Sequence, residues 1–382
     1  MAGLYIHIPF CAKRCIYCDF YSNTNVEYKE AYIFALLREM EMRRSYLQGE
    51  RINTIYFGGG TPSLLQICDL GKIFNGIYRI FPVSDNPEIT IEANPDDLSS
   101  GYIASLATLP VNRISIGIQS FIDEDLRFLN RRHSADEAVE AVRRCQDAGM
   151  ENICLDLIYG LPGQTMEKWS YNMEKAIGLD VPHISAYNLS YEEGTVLYDM
   201  MKKGEALSVD DDLSELFFYS SVETLANAGF VHYEISNFAK RSASYPEGRI
   251  SLHNSSYWDG TYYLGLGASA HSYDGTHRSW NISSISEYIK SIRDEKKIPC
   301  ETEYLDERTR YNDFVITRMR TMRGVSLKEI KKEFSEEFQN YFFEKSEPLL
   351  CLNKLKKYDD NVKVSLNSIF VSDAIIRDLV AL

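Results

Sequence analysis

No apolar run in this sequence approaches the roughly 20 residues that a membrane-crossing helix needs, which excludes an integral membrane segment. The opening residues lack the basic start, long apolar stretch and small-residue cleavage site of a secretory signal, so a cytoplasmic location is expected. Basic residues are in deficit, 41 Lys and Arg against 55 Asp and Glu, for a formal charge of -14. A surface that tracks phosphates needs a concentrated basic patch; none is found, which disfavours nucleic acid as a partner. There are no internal repeats or low-complexity segments. Eight cysteines are too few for a disulfide framework in 382 residues, and three of them crowd into positions 11 to 18, a spacing that points to metal. Cys68, Cys145, Cys154, Cys300 and Cys351 read as free, mostly buried thiols.

Apolar, β-branched runs recur at 4–8, 54–57, 88–93, 113–118, 152–158 and 183–189. Between them lie helix-like patterns at 28–46, 64–80, 135–148 and 166–177. This alternation predicts a parallel α/β sheet with helices on its outer face, six units long and therefore an open, partial (β/α)6 barrel; a doubly wound sheet is the competing architecture. A chain of this length exceeds one core, and the expected units are 1–200 for the barrel, 201–299 for a middle α+β region and 300–382 for a small winged-helix-like domain. In that last unit, helices are predicted over 308–322 and from Ser326, which could cap the second helix. A short strand over 362–366 and a helix or strand over 370–379 follow.

Polar and glycine-rich residues stand where the strands end, and in a (β/α) barrel the loops at those ends ring one site. Cys11, Cys15 and Cys18 follow the first strand. Three thiolates can hold three irons of a 4Fe-4S cubane and leave the fourth iron open to a chelating amine and carboxylate. Such a vacancy suits S-adenosylmethionine (SAM), whose carbon-sulfur bond an electron from the cluster can cleave. A structural zinc site, with His7 or Asp19 as fourth ligand, is the alternative. Gly58-Gly59-Gly60-Thr61-Pro62 follows the second strand, where missing side chains let backbone approach a ligand. Glu92, Gln119, Arg131 and Asp156 sit at or near strand ends and suit an ammonium, ribose hydroxyls and a carboxylate.

The run from Tyr5 through Cys11 to Phe20 resembles the opening of the HemN/HemW group of radical SAM proteins. The resemblance continues through 58–62, 91–95, 115–121, 156–164 and 233–239. It implies SAM contacts at Tyr5, Tyr17, Gly59, Gly60, Thr61, Glu92, Gln119, Arg131 and Asp156. Oxygen-independent coproporphyrinogen dehydrogenases of this group carry a further cysteine two places after the third and a longer N-terminal extension. Here that place holds Phe20, which disfavours the dehydrogenase. His253-Asn254-Ser255-Ser256-Tyr257-Trp258 matches the His-Asn-x-x-Tyr-Trp motif of the group's heme-chaperone branch.

The resemblance therefore implies a chaperone that binds heme and SAM, carries the cluster, and passes heme to a recipient hemoprotein. His253 is the favoured heme ligand and His271 its substitute, with Tyr257 and Trp258 available to cover a porphyrin face. A heme donor and a second copy of the chain are further candidate partners. The rival readings are a coproporphyrinogen III oxidase-like enzyme, a HemN-like radical SAM methyltransferase, and a nucleic-acid-binding module on the winged tail. Because the motif lies beyond the six strands, a heme site separate from the SAM site is expected.

Overall fold

Six segments alternate between an apolar and a polar set of residues: β1 (Ala2–Ile8), β2 (Ile52–Gly59), β3 (Val83–Ala93), β4 (Arg113–Gln119), β5 (Ile153–Tyr159) and β6 (His183–Asn188). Alternate strand residues point to opposite faces. On one face, Leu4, Ile6 and Ile8, then Ile114, Ile116 and Ile118, then Leu155 and Leu157 are fully buried. They share one core with residues of the helices between the strands. These are α1 (Lys29–Met42), α2 (Ile67–Ile80), α3 (Ser100–Leu106), α4 (Asp123–Phe128), α5 (Ala135–Asp147) and α6 (Met166–Gly178). Each such Leu or Ile contributes roughly 1.5–3 kcal/mol by leaving water, so the register of every strand is strongly fixed. The other face carries Tyr5, His7, Tyr56, Glu92, Ser115, Asp156 and Ser185. A parallel sheet buried on both sides ordinarily has two apolar faces; one polar face marks the interior as a place for ligands.

The computed structural model describes residues 1–381. The six strands pair in parallel and in chain order, without the reversal of a doubly wound sheet. Beyond β6 come α7 (Val196–Lys202), α8 (Asp211–Asn227), β7 (Phe230–His232), β8 (Asn237–Lys240) and α9 (Leu252–Trp258). There follow β9 (Tyr262–Leu266), β10 (His271–Tyr273), β11 (His277–Asn281), α10 (Ile285–Lys290) and β12 (Cys300–Tyr304). β9 pairs in parallel with the free side of β1, adding a seventh parallel strand, and β10, β11 and β12 continue antiparallel from it. At the far end, β8 and β7 continue antiparallel from β6. Among the described residues, twelve strands thus form one sheet. No helix among them is long and apolar enough to cross a membrane.

The tail runs α11 (Glu307–Met319), β13 (Val325–Ser326), α12 (Leu327–Glu333), α13 (Glu336–Cys351), β14 (Leu355–Tyr358), β15 (Asn361–Val364) and α14 (Ser372–Leu379). With the strands ordered β13-β15-β14, this is the succession of a winged helix. Ser326 caps α12 as expected, its side chain accepting from the Glu329 amide. The segment left open at 370–379 is a helix. No sequence pattern predicts α13, because the stretch over 336–351 mixes buried and exposed aromatics and contains Pro348, which hides its period. Of the five isolated cysteines, Cys145 and Cys154 are buried, but Cys68, Cys300 and Cys351 are exposed, contrary to the expectation that most would be buried.

Candidate functional site

The C-terminal ends of β1 to β5 converge with the cysteine loop. Cys11 is buried and Cys15 and Cys18 are partly exposed. Thr61 donates to the Cys11 sulfur at 3.5 Å, and the Arg131 guanidinium donates to the Cys15 sulfur at 3.4 Å. Burial pushes the Cys18 thiol up to about 11, the Phe20 backbone pulls it back, and Cys15 and Cys11 push it further up. Three free thiols near enough to repel one another as thiolates, two of them already receiving hydrogen bonds, are a donor set that fits a cluster. Iron would displace their protons. Among the described residues no three His, Cys, Asp or Glu side chains converge on one metal ion. A cubane does not require it, since each thiolate takes its own iron, whereas zinc does. His7, the alternative zinc ligand, has Nδ1 3.0 Å from the Tyr5 hydroxyl and Nε2 2.9 Å from the Tyr21 carbonyl.

Beside the loop lies a cavity of about 460 Å³. Tyr5, Gly59 and Glu92 line it, three of the residues expected to contact SAM. The Glu92 carboxylate accepts from the Tyr56 hydroxyl at 2.8 Å and from the Gly59 amide at 3.1 Å. Burial pushes the Glu92 carboxyl up to about 7, against the pull of those two donors and with a further push from Asp156. Gly60 and Thr61 face the cysteine loop, their amides donating to the carbonyls of Ile8 at 2.9 Å and Phe10 at 2.8 Å. Gln119 closes β4 with a φ of 70°, a strained backbone of the kind that collects at functional sites. Asp156 accepts from Ser115 at 3.0 Å inside the barrel, and burial raises its carboxyl. Arg131 reaches Asn94 Oδ1 at 2.7 Å, but its buried Nε has no partner among the described residues, leaving a donor for a ligand carboxylate. Tyr17 is half-buried beside Cys15, Cys18 and Arg131.

Gly59 has a φ of 106°, in the left-handed region, and a Cβ there would run into the His7 ring. Replacing Gly59 with Ala is expected to cost about 1–3 kcal/mol of stability, read as a lower urea midpoint at unchanged slope.

His253, Asn254 and Tyr257 line the same cavity. The residues implied for heme and several of those implied for SAM therefore line one cavity, where two separate ones were expected. α9 packs against β2, where His253 Nδ1 lies 2.8 Å from Thr54 Oγ1 and the imidazole stacks on Tyr56 at 4.9 Å. The two sets of residues meet because β9 folds back beside β1 and brings α9 over the barrel interior. His253 Nε2 lies 2.9 Å from the Tyr257 hydroxyl, so both ring nitrogens are engaged. Burial, then the charge of Arg113, push its pKa down to about 3. Trp258 stands outside the cavity lining, at the end of α9, with its carbonyl accepting from Arg318. His271 lines the cavity at its exposed rim. Tyr21, Tyr56, Tyr263 and Ser269 also line it, none of them singled out in the sequence, as does His7, named there only as a possible zinc ligand. The polar alternation of β1 and β2 was the signal for His7 and Tyr56.

Residues 5–176 match the Radical SAM superfamily. Over 363 residues the chain is 34% identical to the heme chaperone HemW of Lactococcus lactis subsp. lactis, spanning 95% of this chain and 92% of that one. The chain belongs to the HemW family. HemW of Bacillus subtilis is 37% identical over 342 residues, covering 88% of this chain and 87% of its own. In three dimensions, the radical SAM enzyme coproporphyrinogen III oxidase (HemN) of Escherichia coli superposes with a TM-score of 0.84. That likeness covers 99% of this chain and 89% of HemN at 21% identity, and it shows that the HemW-family chain has the HemN fold.

Proposed function

We propose that this HemW-family chain binds heme and SAM at the open end of its barrel, carries a 4Fe-4S cluster on Cys11, Cys15 and Cys18, and passes heme to a recipient hemoprotein in the cytoplasm. The observation that carries this reading is the single cavity whose walls combine Tyr5, Gly59 and Glu92 with His253, Asn254 and Tyr257. In this reading residues 1–200 hold the cluster and SAM. Residues 201–299 supply the heme wall, and residues 300–382 brace α9 through Arg318, whose Nη2 donates to the Asp259 carbonyl at 2.6 Å. The bound cluster would supply single electrons at an open coordination position. Gln119 and Asp156 would hold the ribose, and Arg131 the carboxylate. A heme donor and a second copy of the chain are the remaining proposed partners. Coproporphyrinogen oxidation is the enzymatic rival, and Phe20 in place of a fourth cysteine speaks against it. Anaerobically reconstituted protein, given hemin in one vessel and coproporphyrinogen III with SAM in another, decides between them. Stable heme uptake without protoporphyrinogen is expected; substrate-dependent protoporphyrinogen above a cluster-free control would reject the proposal.

The same reading has a pH signature. If Glu92 receives the SAM ammonium, only its carboxylate form binds, so protonation below about 7 competes with SAM. Affinity should rise with pH and level off above 7, with binding at pH 6 weaker by about tenfold, the equivalent of one pH unit. Equilibrium dialysis of SAM at pH 6.0 and 7.5 measures this. In Glu92→Gln the slope should vanish; a slope unchanged in that variant would assign the titration elsewhere.

A further inference from the structure

Three imidazoles line the cavity, and they are not equivalent. His7 and His253 are 4% and 1% exposed, and each has both ring nitrogens within hydrogen-bond distance of a partner. His253 is further fixed by the stack on Tyr56 and by the edge of Tyr257 at 5.1 Å. His271 differs on every count. It stands exposed on β10 at the rim, with no hydrogen-bond partner for its ring among the described residues. Its ring is loosely stacked against Trp280, with centroids 6.1 Å apart and planes at 27°. Phe20 lines the same cavity and is 69% exposed, although a side chain of that size ordinarily finds cover.

Ligation of iron needs a free nitrogen lone pair, and a porphyrin needs an apolar face against it. The strand that offers His271 is held in place. A Cβ at Gly265 would collide with the His271 carbonyl, the Ser272 hydroxyl receives the Gly265 amide at 3.0 Å, and the Gly267 amide donates to the buried Glu39 at 2.8 Å. We propose that His271 is the protein ligand of the heme iron and that Phe20 covers a porphyrin face at the cavity mouth, with His253 and Tyr257 forming the wall behind. This rests on the heme-binding reading above. The sequence motif then marks the wall that shapes the site, and the ligand comes from a residue outside it. A site at the rim also leaves an edge of the heme open to a recipient, as transfer requires.

Hemin titrations of the full chain, read by Soret position and by electron paramagnetic resonance, test the assignment in the wild type and in His271→Ala, Phe20→Ala and His253→Gln. His271→Ala should lose the histidine-ligated spectrum and about tenfold or more in affinity, and imidazole added to the solution should restore the spectrum. Phe20→Ala should weaken binding without changing the ligand signature. His253→Gln, its fold checked by circular dichroism, should keep that signature; Tyr257→Phe, which removes the hydroxyl from His253 Nε2, serves as a second variant and should also keep it. A His271→Ala protein with the wild-type spectrum overturns the assignment. A wild type that takes up no heme overturns the chaperone reading itself, which is a separable result.

Discussion

Cys15→Ala is expected to abolish the cluster: anaerobic reconstitution with iron and sulfide should fall well short of about four irons per chain and lose the charge-transfer absorption. Each of the three thiols would hold its own iron, and the fold offers no replacement. The remaining cysteines lie on α2, α5, β5, β12 and α13, away from the loop that follows β1. Cys154 on β5 is in addition committed to the barrel interior, with its sulfur 2.9 Å from His183 Nδ1 and 3.2 Å from Ser185 Oγ. The Cys15 variant would also leave the half-buried Arg131 guanidinium without one of its acceptors. A full complement of iron in this variant would show the assignment to be wrong. Because Asp19 and Phe20, next to Cys18, form part of the cavity wall, cluster loss should also weaken heme uptake. A triple Cys→Ala variant with wild-type heme affinity would argue that the rim keeps its shape without the cluster.

The second large effect is expected at Glu39, fully buried on α1 and distant from the motifs. Its carboxylate meets Arg43 Nε at 3.0 Å and accepts from Asn281 at 2.7 Å, Tyr288 at 2.7 Å and the Gly267 amide at 2.8 Å. One residue of the first helix thus holds together the turn after β9, the end of β11 and α10. Glu39→Ala would strand Arg43 as a buried charge and leave several donors without an acceptor. Removing one partner of a buried ion pair costs about 3–5 kcal/mol. A drop of that size in unfolding free energy from urea titration, or failure to fold, is expected. Glu39→Gln keeps the shape and one acceptor oxygen and should lose less. A change under about 1 kcal/mol in the alanine variant, the range of an exposed ion pair, would mean that water takes over these contacts.

Much of the site was legible in the sequence because chemistry with strict donor needs leaves a strict pattern. Three cysteines at fixed spacing after a strand can be read without coordinates, and so can the alternation of strands and helices that orders the barrel. Ser326 at the start of α12 is similar, since a cap depends only on its own next turn. The resemblance pointed to the motif at 253–258 and to the residues it implies for SAM. What local pattern could not show was which of these share a space. β9 pairs with β1 across more than 250 residues of chain. That pairing carries α9 onto β2, merges two expected sites into one cavity, engages both nitrogens of His253, and leaves Trp258 outside.

The sequence by itself determined the six alternating strands and helices, the polar residues at the strand ends and the spacing of the three thiols, because periodicity and residue type are local properties. The tertiary structure alone decided which imidazole is free. Two histidines in the same cavity differ only in what surrounds them, and hydrogen-bond partners such as Thr54 and Tyr257 are supplied by packing rather than by sequence neighbours. The same holds for Glu39, an unremarkable acidic residue within a helix until β9, β11 and α10 close over it and shut water out.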